Sequence, residues 1–278
     1  MVVVRGAALT GCGMAYLRTY STLGSPALGL EETLALAARH GLAGVELRAL
    51  GGTIDLPTHF TATYGTPEAL AARMAGQPMR IFSLDTSLHL AHPTAEEREA
   101  FLKFLPWAEA IGVPRLRVFD GGKVGDAATH QAMAETVAWW RQLRAENHWQ
   151  ADLMVETHDA LCTTASIRGF LALAPGTGIL WDTHHTWKTG GEDPLVTWRA
   201  IAPHVVHMHV KDSVSIPGPK HPFSYRLPGD GEFPMAPLRE VLRAGYHGPM
   251  SLEWERLWHP ELAPVEDALV AATQRGWW

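Results

Sequence analysis

The sequence has few of the features that would place the protein outside the cell or in a membrane. Its 278 residues include only two cysteines, Cys12 and Cys162, which define no disulfide framework or zinc motif. No apolar run approaches the roughly 18 residues of a membrane span, so no membrane partner is expected. The N-terminus MVVVRGAALTGCG lacks the basic start and long apolar core of a signal peptide. We therefore expect a reduced, cytoplasmic setting.

The sequence also lacks an excess of positive charge and a glycine-rich phosphate loop. Lysine and arginine number 23 against 29 aspartate and glutamate residues, for a net charge of −6, so general affinity for nucleic acid is not expected. No G-x-G-x-x-G follows the first apolar run, which argues against a dinucleotide-binding sheet. With 46% hydrophobic residues, the chain has enough apolar side chains for a sizeable core.

Short apolar runs alternate with helical patterns along the whole chain. The first run, 2–9, predicts a strand, and 10–29 predicts a loop because it is rich in small polar residues. Further strands are predicted at 42–50, 79–90 and 113–120. Helical periodicity predicts helices at 30–40, 67–75, 95–111, 127–147, 164–174, 194–201, 235–244 and 264–275. Thr94 and Glu97 have the spacing of a capping box at the start of the third of these helices.

Four more apolar runs end in ionisable residues: DLMVETHD, GILWDTHHT, VVHMHVKD and MSLEWER. About eight strands, each followed by a helix, predict a (β/α)8 TIM barrel that forms a single domain over 1–278. Active sites of this fold lie at the C-terminal ends of the strands, where the four runs place Glu156, Asp182, His209 and Glu253. Two glutamates, an aspartate and a histidine suit one divalent metal ion such as Mn²⁺, Mg²⁺, Co²⁺ or Zn²⁺.

Each of these residues also has an ordinary structural explanation. Glu156 could pair with a neighbouring arginine, and Asp182 could cap a helix. His207, His209 and Lys211 share one face of their strand, which favours a site because buried ionisable groups are costly without partners. The coincidence of such residues at successive strand ends indicates a site more strongly than any one of them.

Other polar and aromatic residues near strand ends have two open interpretations. Substrate contact and salt bridging explain Glu46, Arg48, Asp85 and Asp120 about equally well, and the nearby tryptophans form either pocket walls or core (Trp181, Trp187, Trp254 and Trp258). The long segment after the seventh strand, which includes YRLPGDGEFP, is a candidate lid. The terminal Trp277 and Trp278 predict either a docked tail or an interface patch in a homo-oligomer.

The motifs GLAGVELRA, VETH, DTHH, HMHVKD, GDGEFP and SLEWERLWHPEL resemble those of the xylose-isomerase-like TIM-barrel superfamily of sugar isomerases and epimerases. They extend from about residue 30 to 265. The resemblance implies that Glu156, Asp182, His209 and Glu253 are the metal ligands. It also implies that His158, His185 and Lys211 bind the substrate. We add Glu46 to this set. The ketose 3-epimerases of this group carry an arginine several residues after the metal histidine, and HVKDSVS has none.

We expect metal-dependent isomerisation or epimerisation of a small sugar or related polyol ketone through an enediolate. Glu156 and Glu253 would serve as catalytic acid and base. One alternative is an inosose-type dehydratase that uses the same metal site. Others are a non-catalytic sugar-binding barrel and an apurinic-endonuclease-like phosphodiesterase, the latter disfavoured by the acidic net charge. A small-molecule substrate is thus the expected partner, and nucleic acid is not.

Overall fold

The computed structural model describes residues 16–278, which form a closed barrel of parallel strands. Eight strands make up the barrel, and two more form a separate antiparallel hairpin. In chain order the strands are β1 (Leu17–Ser21), β2 (Gly44–Leu47), β3 (Arg80–His89), β4 (Arg115–Phe119), β5 (Asp152–Glu156), β6 (Gly178–Asp182), β7 (Val205–Val210), β8 (Asp212–Val214), β9 (Ser224–Arg226) and β10 (Pro249–Leu252). Pairing of β1 with both β2 and β10 closes the ring, and β8 pairs with β9 in the hairpin.

Helices follow the barrel strands and form the outer layer. Ten α-helices are found in residues 16–278: α1 (Leu30–Arg39), α2 (Leu56–Tyr64), α3 (Pro67–Met74), α4 (Ala95–Leu102), α5 (Leu105–Ile111), α6 (Ala127–Asn147), α7 (Thr164–Leu173), α8 (Pro194–Ile201), α9 (Met235–Gly245) and α10 (Val265–Gln274). The prediction of a single-domain (β/α)8 barrel is confirmed. Across this described part, no helix has both the length and the apolar character to cross a bilayer.

The first barrel strand does not lie where the sequence predicted it. The predicted strand 2–9 falls outside the described residues, and β1 instead lies within 10–29, the segment predicted to be a loop. Thr19 and Ser21 are fully buried in β1, and the Thr19 hydroxyl lies 2.6 Å from that of Ser251 on the neighbouring β10. Small polar residues can form a barrel strand here because the adjacent strand supplies their hydrogen-bond partners.

The helix predicted at 95–111 is two helices. Its capping box is confirmed: Thr94 Oγ1 accepts from the Glu97 backbone N–H at 3.1 Å, and Glu97 accepts from Thr94 N at 2.8 Å. The first helix, α4, ends at Leu102, and α5 begins at Leu105 with Pro106 in its first turn. Proline lacks the N–H that a continuous helix would use at this position, so a new helix begins there. No helix was predicted where α2 (Leu56–Tyr64) lies.

The segment after β7 folds back as the β8–β9 hairpin and is anchored by one carboxylate. Asp212 is buried and accepts hydrogen bonds from the backbone N–H groups of Gly229 at 2.8 Å, Gly231 at 3.1 Å and Phe233 at 3.0 Å. The GDGEFP loop is therefore held against the start of the hairpin.

The C-terminal tryptophans pack within the chain. Trp277 and Trp278 are 7% and 3% exposed. The guanidinium carbon of Arg18 lies 5.8 Å from the centre of the Trp278 ring, and Trp277 is 6.2 Å from Phe233. Of the two interpretations from the sequence, the docked tail describes these residues.

Candidate metal centre and cavity

The four residues expected to bind a metal meet at the C-terminal ends of their strands. Glu156 and Asp182 are the last residues of β5 and β6, His209 is the penultimate residue of β7, and Glu253 directly follows β10. Strand register places His209 level with Asp182 on one side and with Ser251 on the other. One donor atom from each of the four residues lies within 4.8 Å of all the others. We call these four residues the acidic cluster.

A buried histidine nitrogen faces the three carboxylates of the acidic cluster. His209 Nδ1 lies 3.3 Å from Glu253 Oε1, 3.5 Å from Glu156 Oε1 and 3.9 Å from Asp182 Oδ2, and it has no hydrogen-bond partner in the described residues. Although burial opposes protonation, the carboxylates of Glu253 and Glu46 raise the pKa of His209 well above its usual value. Three carboxylates and one histidine nitrogen are a donor set that fits a divalent metal ion.

Glu46 holds the other nitrogen of the same histidine. His209 Nε2 lies 2.9 and 3.0 Å from the two carboxylate oxygens of Glu46. Glu46 also accepts from Ser251 Oγ at 2.9 Å and lies 2.8 Å from His207 Nε2. It is fully buried, and despite the cost of burial the two histidines lower its pKa. The structure thus places Glu46 behind His209, outside the cavity described below, and fixes Nδ1 toward the acidic cluster.

Lys211 connects the acidic cluster to the hairpin. Its ammonium lies 2.8 Å from Asp182 Oδ2 and 2.7 Å from Glu255 Oε1, and it also contacts Glu253. Burial opposes its charge, but these carboxylates raise the pKa of Lys211 well above the ordinary value. The Tyr225 hydroxyl on β9 donates to Glu255 at 2.6 Å, so the hairpin contacts the site through this network.

A turn after β6 positions His185 beside His158. Asp182 Oδ1 accepts the backbone N–H groups of His184 and His185 at 2.8 and 2.9 Å, which fixes the start of a π-helical turn, His185–Thr189. Asp182 therefore caps this turn with one oxygen and faces the acidic cluster with the other. The rings of His158 and His185 meet edge to face, with centres 4.7 Å apart.

These groups surround a cavity of about 340 Å³ at the mouth of the barrel. Five of the residues predicted to bind metal or substrate line it (Glu156, His158, His185, Lys211 and Glu253). The other lining residues are Leu23, Arg48, Ser87, His89, Arg117, Phe119, Glu255 and Trp258. Trp181 and Trp254, in contrast, are buried in the core.

Arg117 was not predicted, although it pairs with a residue of the acidic cluster. Its Nε lies 3.4 Å from Glu156 Oε2 and 3.9 Å from Asp85 Oδ2. Burial and the charge of Glu46 raise the pKa of Asp85 to about 8, so Asp85 offsets little of the arginine's charge. The sequence signal for Arg117 was its alternation with Arg115 in RLRVF, which places both on one face of β4.

Asp120 stabilises the loop after β5. Its carboxylate accepts backbone N–H groups from Gly121 at 2.7 Å, Asp159 at 2.9 Å and Leu161 at 2.7 Å. These contacts fix the segment that carries His158. Asp120 is thus a structural residue beside the cavity.

Comparisons with known proteins agree with the fold. The family model described as xylose isomerase-like TIM barrel matches residues 34–274. Similar solved structures include a probable 3-DHS dehydratase, AsbF, from Bacillus anthracis, with a TM-score of 0.74, 18% identity and coverage of 94% of this chain and 98% of that chain. The IOLI protein, whose structure carries a zinc atom, has a TM-score of 0.72 at 14% identity, covering 94% and 96%.

A D-tagatose 3-epimerase-like protein is also similar, with a TM-score of 0.68 at 14% identity and coverage of 94% and 96%. No curated protein matches the chain by sequence. The structural likenesses, at these identities, show the fold, while the family model covers most of the chain. The protein belongs to the xylose isomerase-like TIM-barrel family.

Proposed function

We propose that the protein is a divalent-metal-dependent isomerase or epimerase of a small sugar or related polyol ketone. The observation that supports this most directly is the placement of Glu156 and Glu253. Both line the cavity, both direct one oxygen toward His209 Nδ1, and they belong to different strands, β5 and the end of β10. Two carboxylates at one substrate provide the base and acid that proton transfer between carbon atoms requires.

Glu156, Asp182, His209 and Glu253 would hold the ion, with Mn²⁺, Mg²⁺, Co²⁺ or Zn²⁺ as candidates. When bound, the ion would polarise the carbonyl and adjacent hydroxyl oxygens of the substrate as a Lewis acid. Glu46 would keep Nδ1 of His209 directed at the ion by binding Nε2, an arrangement common to metal-binding histidines.

The two glutamates would act as bases in their ionised form. Burial disfavours their charge, yet Arg117 brings the pKa of Glu156 to about 2, and His209 and Lys211 hold that of Glu253 well below its usual value. One glutamate would remove the proton alpha to the carbonyl. The other, protonated by solvent, would return a proton to the neighbouring carbon or to the opposite face of the enediolate.

His158, His185 and Lys211 would bind the substrate hydroxyls. All three line the cavity, and their side chains carry nitrogen atoms that can hydrogen-bond hydroxyl groups. The edge-to-face contact of the two histidine rings restricts both rings, so their polar atoms are held in place before substrate arrives.

The test is proton exchange from a panel of ketoses in D₂O with Mn²⁺ present, followed by NMR. Glu156→Gln and Glu253→Gln should each slow exchange by about 10²- to 10⁴-fold, because an amide is a poor base. Glu240→Gln on α9 is the control, since this exposed glutamate pairs with Arg239 and Arg243 of its own helix and does not line the cavity. Exchange at the wild-type rate in both cavity variants, with metal still bound, would eliminate the proposal.

Dehydration of a cyclic polyol ketone is the second candidate function. It is favoured by the two histidines, which could protonate a departing hydroxyl group next to the carbon that loses its proton. A new enone absorbance during turnover, absent in His185→Asn, would identify the dehydratase. Proton exchange without enone formation would identify the isomerase.

A further inference from the structure

One side of the cavity carries two arginines that the proposed metal chemistry leaves without a complete role. Arg48 follows the end of β2, and Arg117 lies in β4. Both guanidinium groups lie near the ring of Phe119, with their central carbons 5.9 and 4.0 Å from the ring centre. With Ser87 and His89 from β3, these residues line the same cavity as Glu156 and Glu253. We call Arg48, Ser87, His89, Arg117 and Phe119 the arginine wall.

Arg48 is the basic group of this cavity that lacks an acidic partner within residues 16–278. Its Nη1 donates to the carbonyl oxygen of Asp85 at 3.2 Å and its Nη2 to Ser87 Oγ at 3.0 Å, and both acceptors are neutral. The other basic side chains each have a carboxylate nearby: His89 with Glu97 at 2.8 Å, Arg117 with Glu156 at 3.4 Å, His158 with Asp159 at 3.1 Å, His185 with Asp182 at 3.4 Å and Lys211 with Glu255 at 2.7 Å.

The charge of Arg48 is therefore buried without a carboxylate in direct contact. The residue is only 5% exposed. Burial first, and then repulsion by Arg117, lower the pKa of Arg48 to about 10, while the more distant carboxylates of Asp85, Glu156 and Glu253 act in the opposite direction. Burying an ion without a counter-ion is costly, and a protein retains such a group where a ligand supplies the opposite charge.

The two contacts that Arg48 does make hold it in position. The carbonyl of Asp85 and the hydroxyl of Ser87 fix the guanidinium plane but leave N–H groups without acceptors, since five are available and two are used. Arg117 Nη1 likewise has no acceptor in the described residues. A fixed, planar set of N–H donors matches the two oxygens of a carboxylate or of a phosphate.

We propose that the substrate carries an anionic oxygen group, either a carboxylate or a phosphate, which Arg48 binds at the arginine wall. The inference rests on the proposed function, because that function places the polyol part of the same molecule at the acidic cluster. The substrate class becomes a sugar acid, a polyol acid or a sugar phosphate. A neutral sugar would leave Arg48 without an anion in direct contact.

Unreactive polyols test this by calorimetry on the Mn²⁺-loaded protein. Gluconate and sorbitol share a six-carbon chain and differ in one terminal carboxylate, and sorbitol 6-phosphate places a phosphate there instead. Gluconate or sorbitol 6-phosphate should bind at least about 10-fold more tightly than sorbitol, as expected for charge-assisted hydrogen bonds. The tighter of the two identifies the group. In Arg48→Met the preference over sorbitol should fall to about one.

Arg48→Lys provides a second variant in case the methionine substitution impairs folding. It keeps the charge and loses the planar donor set, so the anion preference should shrink while sorbitol binding stays the same. Arg199→Met on the exposed face of α8 is the matched control. Equal affinity for sorbitol and both anions in the wild type would overturn the inference. So would an anion preference that survives in Arg48→Met, which would place the anionic group on the ion.

This binding test can fail or succeed independently of the proton-exchange test of the proposed function. None of the three probes has a ketone or aldehyde group, so binding is measured without turnover. Mn²⁺ affinity is measured separately in each variant. Loss of the anion preference in Arg48→Met with Mn²⁺ affinity unchanged supports the inference whatever the outcome of proton exchange. Equal polyol binding with normal proton exchange would refute the anion site and leave the isomerase proposal standing.

Discussion

Replacing Glu46 by glutamine tests whether this residue positions His209, the proposed metal ligand. The carboxylate lies 2.9 Å from His209 Nε2 through Oε1, while Oε2 accepts from Ser251 Oγ at 2.9 Å. In Glu46→Gln the amide oxygen can still accept from His209, and the new NH₂ group can donate to Ser251 Oγ. The NH₂ group that replaces Oε2 also faces His207 Nε2 at 2.8 Å, and this nitrogen can accept from it as part of a neutral imidazole. The side chain keeps its shape and its contacts, so the change removes the negative charge and little else.

The expected magnitude follows from the kind of hydrogen bond that is lost. A hydrogen bond to a charged group contributes about 1.5–3 kcal/mol and a neutral one about 0.5–1.5 kcal/mol, so the substitution should cost roughly 1–1.5 kcal/mol. If His209 binds the ion through Nδ1, that cost should raise the Kd for Mn²⁺ about 10-fold. The value lies at the lower end of the 10- to 100-fold effects typical of groups that support metal ligands.

The assay is titration with Mn²⁺, followed by calorimetry and by the electron paramagnetic resonance of the free ion. Glu68→Gln at an exposed position of α3 is the control for adding an amide. The competing interpretation, in which Glu46 binds substrate, predicts unchanged Mn²⁺ affinity with weaker polyol binding. Unchanged Mn²⁺ affinity in Glu46→Gln, with a normal Tm, would therefore refute the positioning role.

Three further outcomes are expected. Removal of metal by a chelator should lower Tm by about 5–10 °C relative to protein with Mn²⁺ at 100 times its Kd, because that excess is worth about 2.7 kcal/mol. Asp182→Asn should largely abolish the difference, and equal melting of both forms of the wild type would count against the metal site. Gly44→Ala should cost more than about 3 kcal/mol in urea unfolding, because a Cβ there would lie 2.1 Å from the Arg80 carbonyl oxygen. Gly245→Ala, with nothing within 4 Å of the added carbon, should be close to neutral, and similar costs for both would contradict this account. Asp212→Ala should increase proteolysis between 227 and 233, because three backbone N–H groups lose their acceptor. Protection equal to the wild type would show that the loop is held by other contacts.

The sequence was most informative where strand ends carried ionisable residues. A strand that ends in Glu156 or Asp182 has a recognisable apolar run before it, and the parallel barrel brings all such ends to one rim. The location of the acidic cluster therefore follows from the strand count. The prediction failed for β1 because its buried side chains, Thr19 and Ser21, are polar, and Thr19 is satisfied by Ser251, which lies 232 positions away in the chain.

Contacts between non-adjacent strands could also not be predicted from the sequence. The motif GVEL placed Glu46 at the end of β2, but only the closed barrel shows that β2 faces His209 of β7. Arg48 and Arg117 could be assigned to strand faces, whereas their partners depend on side-chain directions across the mouth. Periodicity gives the face on which a residue lies, and the distances between faces come from packing.

The residues of the acidic cluster and those of the arginine wall come from different halves of the barrel. The whole acidic cluster comes from β5 onward, whereas the arginine wall comes from β2 to β4. The pair formed by Arg117 and Glu156 joins the halves at the seam between β4 and β5. If the proposed roles are right, recognition of the anionic end of the substrate can change through the N-terminal half while the ion's ligands stay in the other. A chimera that receives β2–β4 from another family member should then inherit the donor's preference at that end of the ligand, provided the graft retains a carboxylate at Glu46.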